Sequence, residues 1–145
     1  MHARAFALSL IVTLVLVGSR GTIADAPRFK VIVHPDNPVT SIDREYLRNA
    51  FLKKAPTWSS GETIRPIDLS TKFPVREQFT RKVLKKTPAQ LKAYWNQRIF
   101  SGKGVPPPVV DSADDMIDYV LAHPGAVGYL PEGVEPGDAK VVGVR

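Results

Sequence analysis

The residue types best suited to chemistry lie in one short segment, STKFPVRE, which begins at Ser70. Pro74 is favoured as the first residue of a helix, because the N–H that proline lacks would have no intrahelical partner there. The free N–H groups and the positive dipole end of such a helix attract small anions. Hydroxyl groups and cations just before and inside the helix can add charge-assisted hydrogen bonds. We therefore predict an oxyanion site formed by Ser70, Thr71, Lys72 and Arg76.

The same segment has a purely structural interpretation. Glu77 falls in the first turn of the predicted helix, where its carboxylate can itself satisfy the helix dipole. The hydroxyls of Ser70 and Thr71 can stabilise the turn before the helix. Arg65 and Lys54 would add positive charge only if their elements end at the same edge of the fold, and a solvated surface position is the commoner outcome for such residues.

Other chemistry-bearing residues point away from catalysis. The residues after the N-terminal leader contain only His34 and His123, each next to a proline, and neither is accompanied by a serine elbow or paired metal ligands. The run Ser101–Gly104 lacks the spacing of a phosphate loop and precedes prolines, so we predict a turn. We predict no enzyme, no catalytic residues, no metal and no cofactor.

The N-terminus has the pattern of a secretory signal peptide. His2 and Arg4 precede an apolar run over residues 5–17, and small residues follow it. That run is too short to span about 30 Å of hydrocarbon, although a retained membrane anchor is the alternative. We predict a signal peptide over residues 1–24, cleavage after Ala24, and a single domain over 25–145.

Composition bounds the compartment and the partners. The chain has no cysteine, which excludes disulfides, thiol nucleophiles and a lipidated N-terminal cysteine, so we expect a free periplasmic protein. Without residues 1–24, basic residues outnumber acidic ones by four. The excess concentrates between Lys72 and Lys86 and favours anionic partners. We predict no nucleic-acid binding, because no recognised motif for it is present.

Hydrophobic periodicity and helix-start signals predict the elements that position these residues. Helices are expected to begin after Ser41, at Pro74, after Thr87 and after Ser112. Alternating or apolar runs predict strands at Phe29–Val33, Ile64–Leu69, Ala126–Leu130 and Lys140–Val144. This order predicts an α/β fold, a single three-layer lobe with a mostly parallel sheet and helices on both faces.

Four segments in this order resemble a known family. They are AFLKKAPTW (50–58), IRPIDLSTKFPVREQF (64–79), FSGKGVPPPVVDS (100–112) and PGAVGYL (124–130). Together they resemble the phosphate-binding component of ABC importers, in the type 2 periplasmic binding protein superfamily. The resemblance implies a transport receptor fold (periplasmic binding protein-like II) and phosphate or another small oxyanion as ligand.

Two departures from the family pattern shape the expected function. Receptors of this kind close two lobes on the ligand, whereas this chain has residues for only one, so we expect weak binding unless a second copy or an envelope protein supplies the missing wall. The family's loop carries Arg and Ser-Gly-Thr, whereas this chain has Asp68-Leu69-Ser70-Thr71-Lys72. The alternative is a non-catalytic periplasmic interaction module that has lost its ligand.

Overall fold

The structure, a computed structural model, describes residues 28–145, so the predicted signal peptide and its cleavage site lie outside the described residues. Its elements are β1 (Phe29–Val33), β2 (Ser41–Ile42), α1 (Arg44–Phe51), β3 (Arg65–Pro66), β4 (Asp68–Leu69), α2 (Pro74–Lys82), α3 (Pro88–Phe100), β5 (Val109–Val110), α4 (Ala113–Ala122), β6 (Ala126–Pro131) and β7 (Lys140–Val144). Within this range no helix has the length and apolar character needed to cross a bilayer.

The central sheet is mixed, with strand order β2-β7-β1-β6-β3. The predicted parallel arrangement holds for β2 with β7, β3 with β6 and the separate pair β4 with β5, each of which is two residues long. The longer pairings, of β1 with β6 and with β7, are antiparallel, so the sheet is mixed and not mostly parallel as expected. The short parallel pairs join strands separated by helical crossovers, as parallel pairing requires.

Helices cover both faces of the sheet, which confirms the three-layer α/β lobe. On one face, the Tyr129 ring of β6 stacks on Phe79 of α2, with centroids 4.0 Å apart and planes 2° apart, and lies 6.0 Å from Phe51 of α1. On the opposite face α4 packs so closely that a Cβ on Gly128 would lie 2.3 Å from the sulfur of Met116. Only glycine allows this approach between helix and strand.

Three of the four predicted helix starts are confirmed. Pro74 is the first residue of α2, Thr87 and Gln90 form the capping box of α3, and Ser112 caps α4 by accepting from the Asp115 N–H. Local side-chain hydrogen bonds of this kind are readable from sequence because both partners lie within one turn.

The predicted cap at Ser41 is wrong. Ser41 lies in β2 and pairs with Gly143 of β7, whereas Asp43 caps α1 by accepting from the N–H groups of Glu45 and Tyr46. A strand pairing made by residues far along the chain determines the conformation of Ser41 and moves the helix start two residues on.

The predicted strand Ile64–Leu69 is two strands in different sheets. Arg65–Pro66 pairs with β6 and Asp68–Leu69 pairs with β5. The switch occurs at Ile67, whose N–H donates to Val127 while the next N–H donates to Pro108 (3.0 and 2.9 Å). The chain therefore leaves the central sheet just before the predicted anion loop.

Candidate functional site

The predicted anion segment joins the end of β4 to the start of α2. The Phe73 N–H donates to the Ser70 carbonyl over 3.1 Å and closes the turn, after which Pro74 opens the helix. No side chain caps α2, because its N-cap residue is Phe73. The first turn of this helix therefore lacks the side-chain acceptor that most helix starts use.

A half-buried ion pair fixes the one arginine of this segment. The Arg76 Nε and Nη2 atoms lie 3.1 and 3.0 Å from the same Asp68 oxygen, Oδ2. Their side chains are 22 % and 13 % exposed, respectively, so the pair is largely withdrawn from water. The guanidinium is thereby held in one orientation at the first turn of α2.

The other carboxylate oxygen of Asp68 accepts two further hydrogen bonds. Tyr129 donates its hydroxyl to Oδ1, and the Leu69 N–H donates over 2.9 Å. Burial, and after it the nearby Asp68 carboxylate, raise the pKa of the Tyr129 hydroxyl above its ordinary value. Tyr129 therefore remains a protonated donor, and every side chain in this cluster has a partner. We call Asp68, Arg76 and Tyr129 the polar cluster.

A cavity of about 550 Å³ extends from the polar cluster along α3. Asp68, Thr71 and Arg76 form part of the lining, and the rest is mostly apolar and comes from α3, the segment before β5 and Val109. We call this cavity the apolar groove; its apolar lining is Pro88, Ala89, Leu91, Trp95, Ile99, Pro106, Pro107 and Val109.

A second cavity, of about 120 Å³, lies beside the start of α2. Thr71 and Arg76 line this cavity as well as the apolar groove, so both side chains stand between the two spaces. An oxyanion in either space could meet a hydroxyl and a guanidinium at the positive end of a helix.

The structure brings together two of the four predicted ligand residues. Thr71 and Arg76 share the cavities described above. The Ser70 hydroxyl is buried and has no hydrogen-bond partner within residues 28–145. The Lys72 ammonium is exposed and lies 3.6 Å from a carboxylate oxygen of Asp111. Binding by all four residues remains a prediction.

The competing residues of the sequence analysis have other partners. Glu77 lines the smaller cavity, and its carboxylate accepts from Arg81 over 2.8 Å. The Lys54 ammonium lies 5.9 Å from the centre of the Tyr94 ring, and Arg65 is exposed on β3. Neither Lys54 nor Arg65 lines the two cavities at the start of α2.

The remaining motifs have structural roles. Residues 101–104 form the predicted turn, in which Gly102 and Gly104 adopt φ values of +68° and +134°. The His34 ring nitrogen accepts from the Asp36 N–H, and His123 Nδ1 lies 2.8 Å from the Tyr119 carbonyl. Among residues 28–145, no three His, Asp or Glu side chains are grouped as a metal site would require.

Sequence reasoning did not predict Asp68 and Tyr129 as site residues. For Asp68 the available signal is an opposite charge, Arg76, eight positions later at the start of the predicted helix. Tyr129 carried no such signal, because its contact with Asp68 joins residues 61 positions apart.

Comparisons with known proteins find solved structures that have a similar fold. No family model matches the chain, and no curated protein matches it. An ABC-type phosphate transport receptor from Vibrio cholerae is similar in structure, with a TM-score of 0.64, 20% identity, and coverage of 81% of this chain and 46% of the receptor. A putative phosphate ABC transporter substrate-binding protein from Clostridium perfringens, solved with bound phosphate, is also similar. Its TM-score is 0.63 and its identity 16%, and the match covers 81% of this chain and 45% of that protein.

A third similar structure, a possible phosphate-binding protein from Planctomyces limnophilus, has a TM-score of 0.58 and 14% identity. The match covers 82% of this chain and 42% of that protein. At these identities the likeness concerns the fold, and this chain spans less than half the length of each of the three proteins. The chain therefore has the fold of phosphate ABC transporter substrate-binding proteins, in the form of a short, single lobe.

Proposed function

We propose that the protein is an exported, non-catalytic receptor lobe that binds a small oxyanion such as phosphate at the start of α2. The observation that carries the proposal is the position of Arg76, which Asp68 holds rigidly between two cavities at the first turn of the helix. The bonds to Asp68 use Nε and Nη2, so the donors of Nη1 remain for a ligand. Phosphate receptors among the similar structures support an oxyanion as the ligand class.

Binding by one lobe is expected to be weak. The positive charge of Arg76 is balanced by Asp68, and that of Lys72 by Asp111, so an incoming anion meets little net charge. Attraction then comes from the remaining guanidinium donors, Thr71 and the helix start. A single lobe also leaves one side of the ligand in water, which lowers the gain from each hydrogen bond.

Calorimetric titration with inorganic phosphate and sulfate at low salt tests the proposal. We expect heat with the unaltered protein and none with a variant carrying Ser70→Ala, Thr71→Ala and Arg76→Ala together. Arg81→Ala is the matched control, because Arg81 is a cation of the same helix that pairs with Glu77 and lines neither cavity. Circular dichroism must show that both variants are folded. Absence of heat with every oxyanion in the unaltered protein would contradict the proposal.

The second candidate function is an interaction module that has lost its ligand. A specific observation favours it: four of the five large hydrophobic side chains that are most exposed in residues 28–145 lie close together in sequence, at Ile99, Phe100, Val105 and Val109. Exposed apolar surface of this kind marks interaction sites in soluble proteins. Anion binding that survives full dilution to the monomer would favour the first candidate over this one.

The proposed compartment is the periplasm, reached through a signal peptide that is removed. Support comes from the apolar run over residues 5–17 and from the transport receptors among the similar structures. Intact-mass measurement of the protein recovered from the periplasm is expected to show a chain beginning at Asp25. A chain that keeps residues 1–24 and sediments with membranes would favour the retained anchor.

A further inference from the structure

Charges of opposite sign are separated along the second half of the chain. Residues 78–110 contain seven basic residues and no acidic one, whereas residues 111–139 contain seven acidic residues and no lysine or arginine. The basic residues are Arg81, Lys82, Lys85, Lys86, Lys92, Arg98 and Lys103, and the acidic ones are Asp111, Asp114, Asp115, Asp118, Glu132, Glu135 and Asp138. The charge changes from basic to acidic at Asp111, between the end of β5 and the start of α4.

Exposed apolar side chains lie at this boundary. We call Ile99, Phe100, Val105 and Val109 the apolar strip; they are 49 %, 92 %, 59 % and 53 % exposed. Ile99 and Val109 also line the apolar groove. Exposed Lys92 lies on the same groove and Lys103 within the turn that precedes Val105, so basic residues border the strip on one side.

Acidic residues follow the strip along the chain. Asp111 directly follows β5 and pairs with Lys72, whereas Asp114 and Asp118 are exposed on α4, which begins two residues later. The loop that carries Glu135 and Asp138 packs on the same helix, since a Cβ at Gly137 would lie 3.6 Å from Ile117. Basic residues therefore precede the apolar strip along the chain, and acidic residues follow it.

We propose that the apolar strip binds a second copy of this chain in a two-fold arrangement, with the basic side of each copy against the acidic side of the other. A two-fold contact joins the same surface patch on both copies, so the patch must be complementary to itself. A surface with opposite charges on either side of an apolar centre meets that requirement. A basic surface alone would favour a different, acidic protein as partner. This chain carries both a basic and an acidic region, so a second copy can supply the opposite charge for each.

The dimer adds to the proposed function. Only its role in completing the anion site rests on that function. Contact at Ile99 and Val109 would cover the open side of the apolar groove and so supply the wall that a single lobe lacks above Arg76. Self-association itself needs no anion. It is therefore measured in chloride buffer without phosphate or sulfate, where failure of the anion site has no influence on the result.

Sedimentation velocity of the protein recovered from the periplasm, over a concentration series at low salt, gives the first test. We expect a reversible dimer that weakens as salt rises, because its flanking charges are screened. Phe100→Ser is expected to weaken dimerisation by at least about tenfold, since the side chain is lost from both copies. Val141→Ser, which alters a comparably exposed residue on β7, is the matched control and leaves the dimer unchanged.

Charge reversal gives the sharper test. Lys92→Glu with Lys103→Glu makes both sides acidic, and Asp114→Lys with Asp118→Lys makes both sides basic. Each double variant alone is expected to be monomeric, whereas an equimolar mixture of the two restores a dimer, because every reversed charge then faces its opposite. All four residues are exposed, so folding is expected to be retained.

Three results would overturn the proposal. They are an unaltered protein that stays monomeric at all concentrations, a dimer indifferent to Phe100→Ser, and reversed variants that fail to pair in the mixture. A monomer that instead binds vesicles containing phosphatidylglycerol, and loses them with Phe100→Ser, would assign the strip to a membrane surface. If dimers form but phosphate gives no heat, the interface stands and the anion site fails.

Discussion

The polar cluster and the apolar strip differ in how their side chains are satisfied. In the polar cluster, Arg76 and Tyr129 each donate to Asp68, and the three side chains are largely withdrawn from water. In the apolar strip, Ile99 and Val109 are about half exposed, and Phe100 is almost fully exposed. The chain satisfies the polar cluster by itself, whereas the apolar strip gains stability only when another molecule covers it.

This difference separates stability from recognition. A buried polar group that loses its partner is costly, so substitutions in the polar cluster should lower the stability of the fold. An exposed apolar side chain adds little to folding, so substitutions in the apolar strip should leave that stability nearly unchanged. Substitutions in the polar cluster and in the apolar strip can therefore test this difference.

The largest expected effect is at Tyr129. Tyr129→Ala removes a fully buried ring stacked on Phe79 and leaves a cavity under α1 and α2. We expect the free energy of unfolding to fall by about 3–5 kcal/mol, measured by chemical denaturation. Tyr119→Ala, at a half-buried tyrosine of α4, should lower the free energy of unfolding clearly less. Equal losses for the two variants would contradict a larger contribution of Tyr129 to stability.

Arg76→Ala is expected to have the next largest effect. It leaves the Asp68 carboxylate, 13 % exposed, without its cation, which should lower the free energy of unfolding by about 2–3 kcal/mol. Lys72→Ala removes a cation from an exposed pair with Asp111 and should cost less than about 0.5 kcal/mol. Similar losses for the two variants would show that Asp68 does not depend on Arg76.

Alkaline pH tests the hydroxyl of the polar cluster. The pKa of Tyr129 is raised in the folded state, by burial first, so above pH about 10 the unfolded chain loses this proton while the folded chain keeps it. Stability from this group is complete below pH 10 and should then fall by up to about 1.4 kcal/mol per pH unit. Tyr129→Phe removes the group, and its unfolding free energy should fall less steeply; identical slopes would contradict the assignment.

The smallest expected effect is at the apolar strip. Phe100 is 92 % exposed, so Phe100→Ser should change the free energy of unfolding of the monomer by less than about 0.5 kcal/mol. Denaturation at concentrations well below dimerisation measures this value. A loss above about 2 kcal/mol would mean that Phe100 packs within its own chain, and the contrast between the polar cluster and the apolar strip would disappear.

The parts of the fold that could be predicted are those fixed by neighbours in sequence. Thr87 with Gln90 and Pro74 at a first helical position are local signals, and both are confirmed. Ser41 also carried a local signal, but pairing with β7, about 100 residues later, made it a strand residue. The division of Ile64–Leu69 between two sheets likewise depends on β5 and β6, which no local pattern near Ile67 reveals.

The candidate site shows the same limit. The helix start at Pro74 and the cation Arg76 follow from their types and spacing, and the structure places Arg76 at two cavities. The pair of Asp111 with Lys72 depends on β4 and β5 lying side by side, and the pair of Asp68 with Arg76 depends on how α2 packs beside β4. Net charge along the sequence therefore overstated how positive this site is.

Nuclear magnetic resonance can show whether a small oxyanion binds at the start of α2. Amide signals of the ¹⁵N-labelled protein would be followed during titration with sodium phosphate, with sodium chloride at equal ionic strength as the control. We predict saturable shifts confined to residues 70–77 and to the neighbouring Asp68 and Leu69, lost in Arg76→Ala. Shifts that match those from chloride, or that concentrate elsewhere in the fold, would contradict the account.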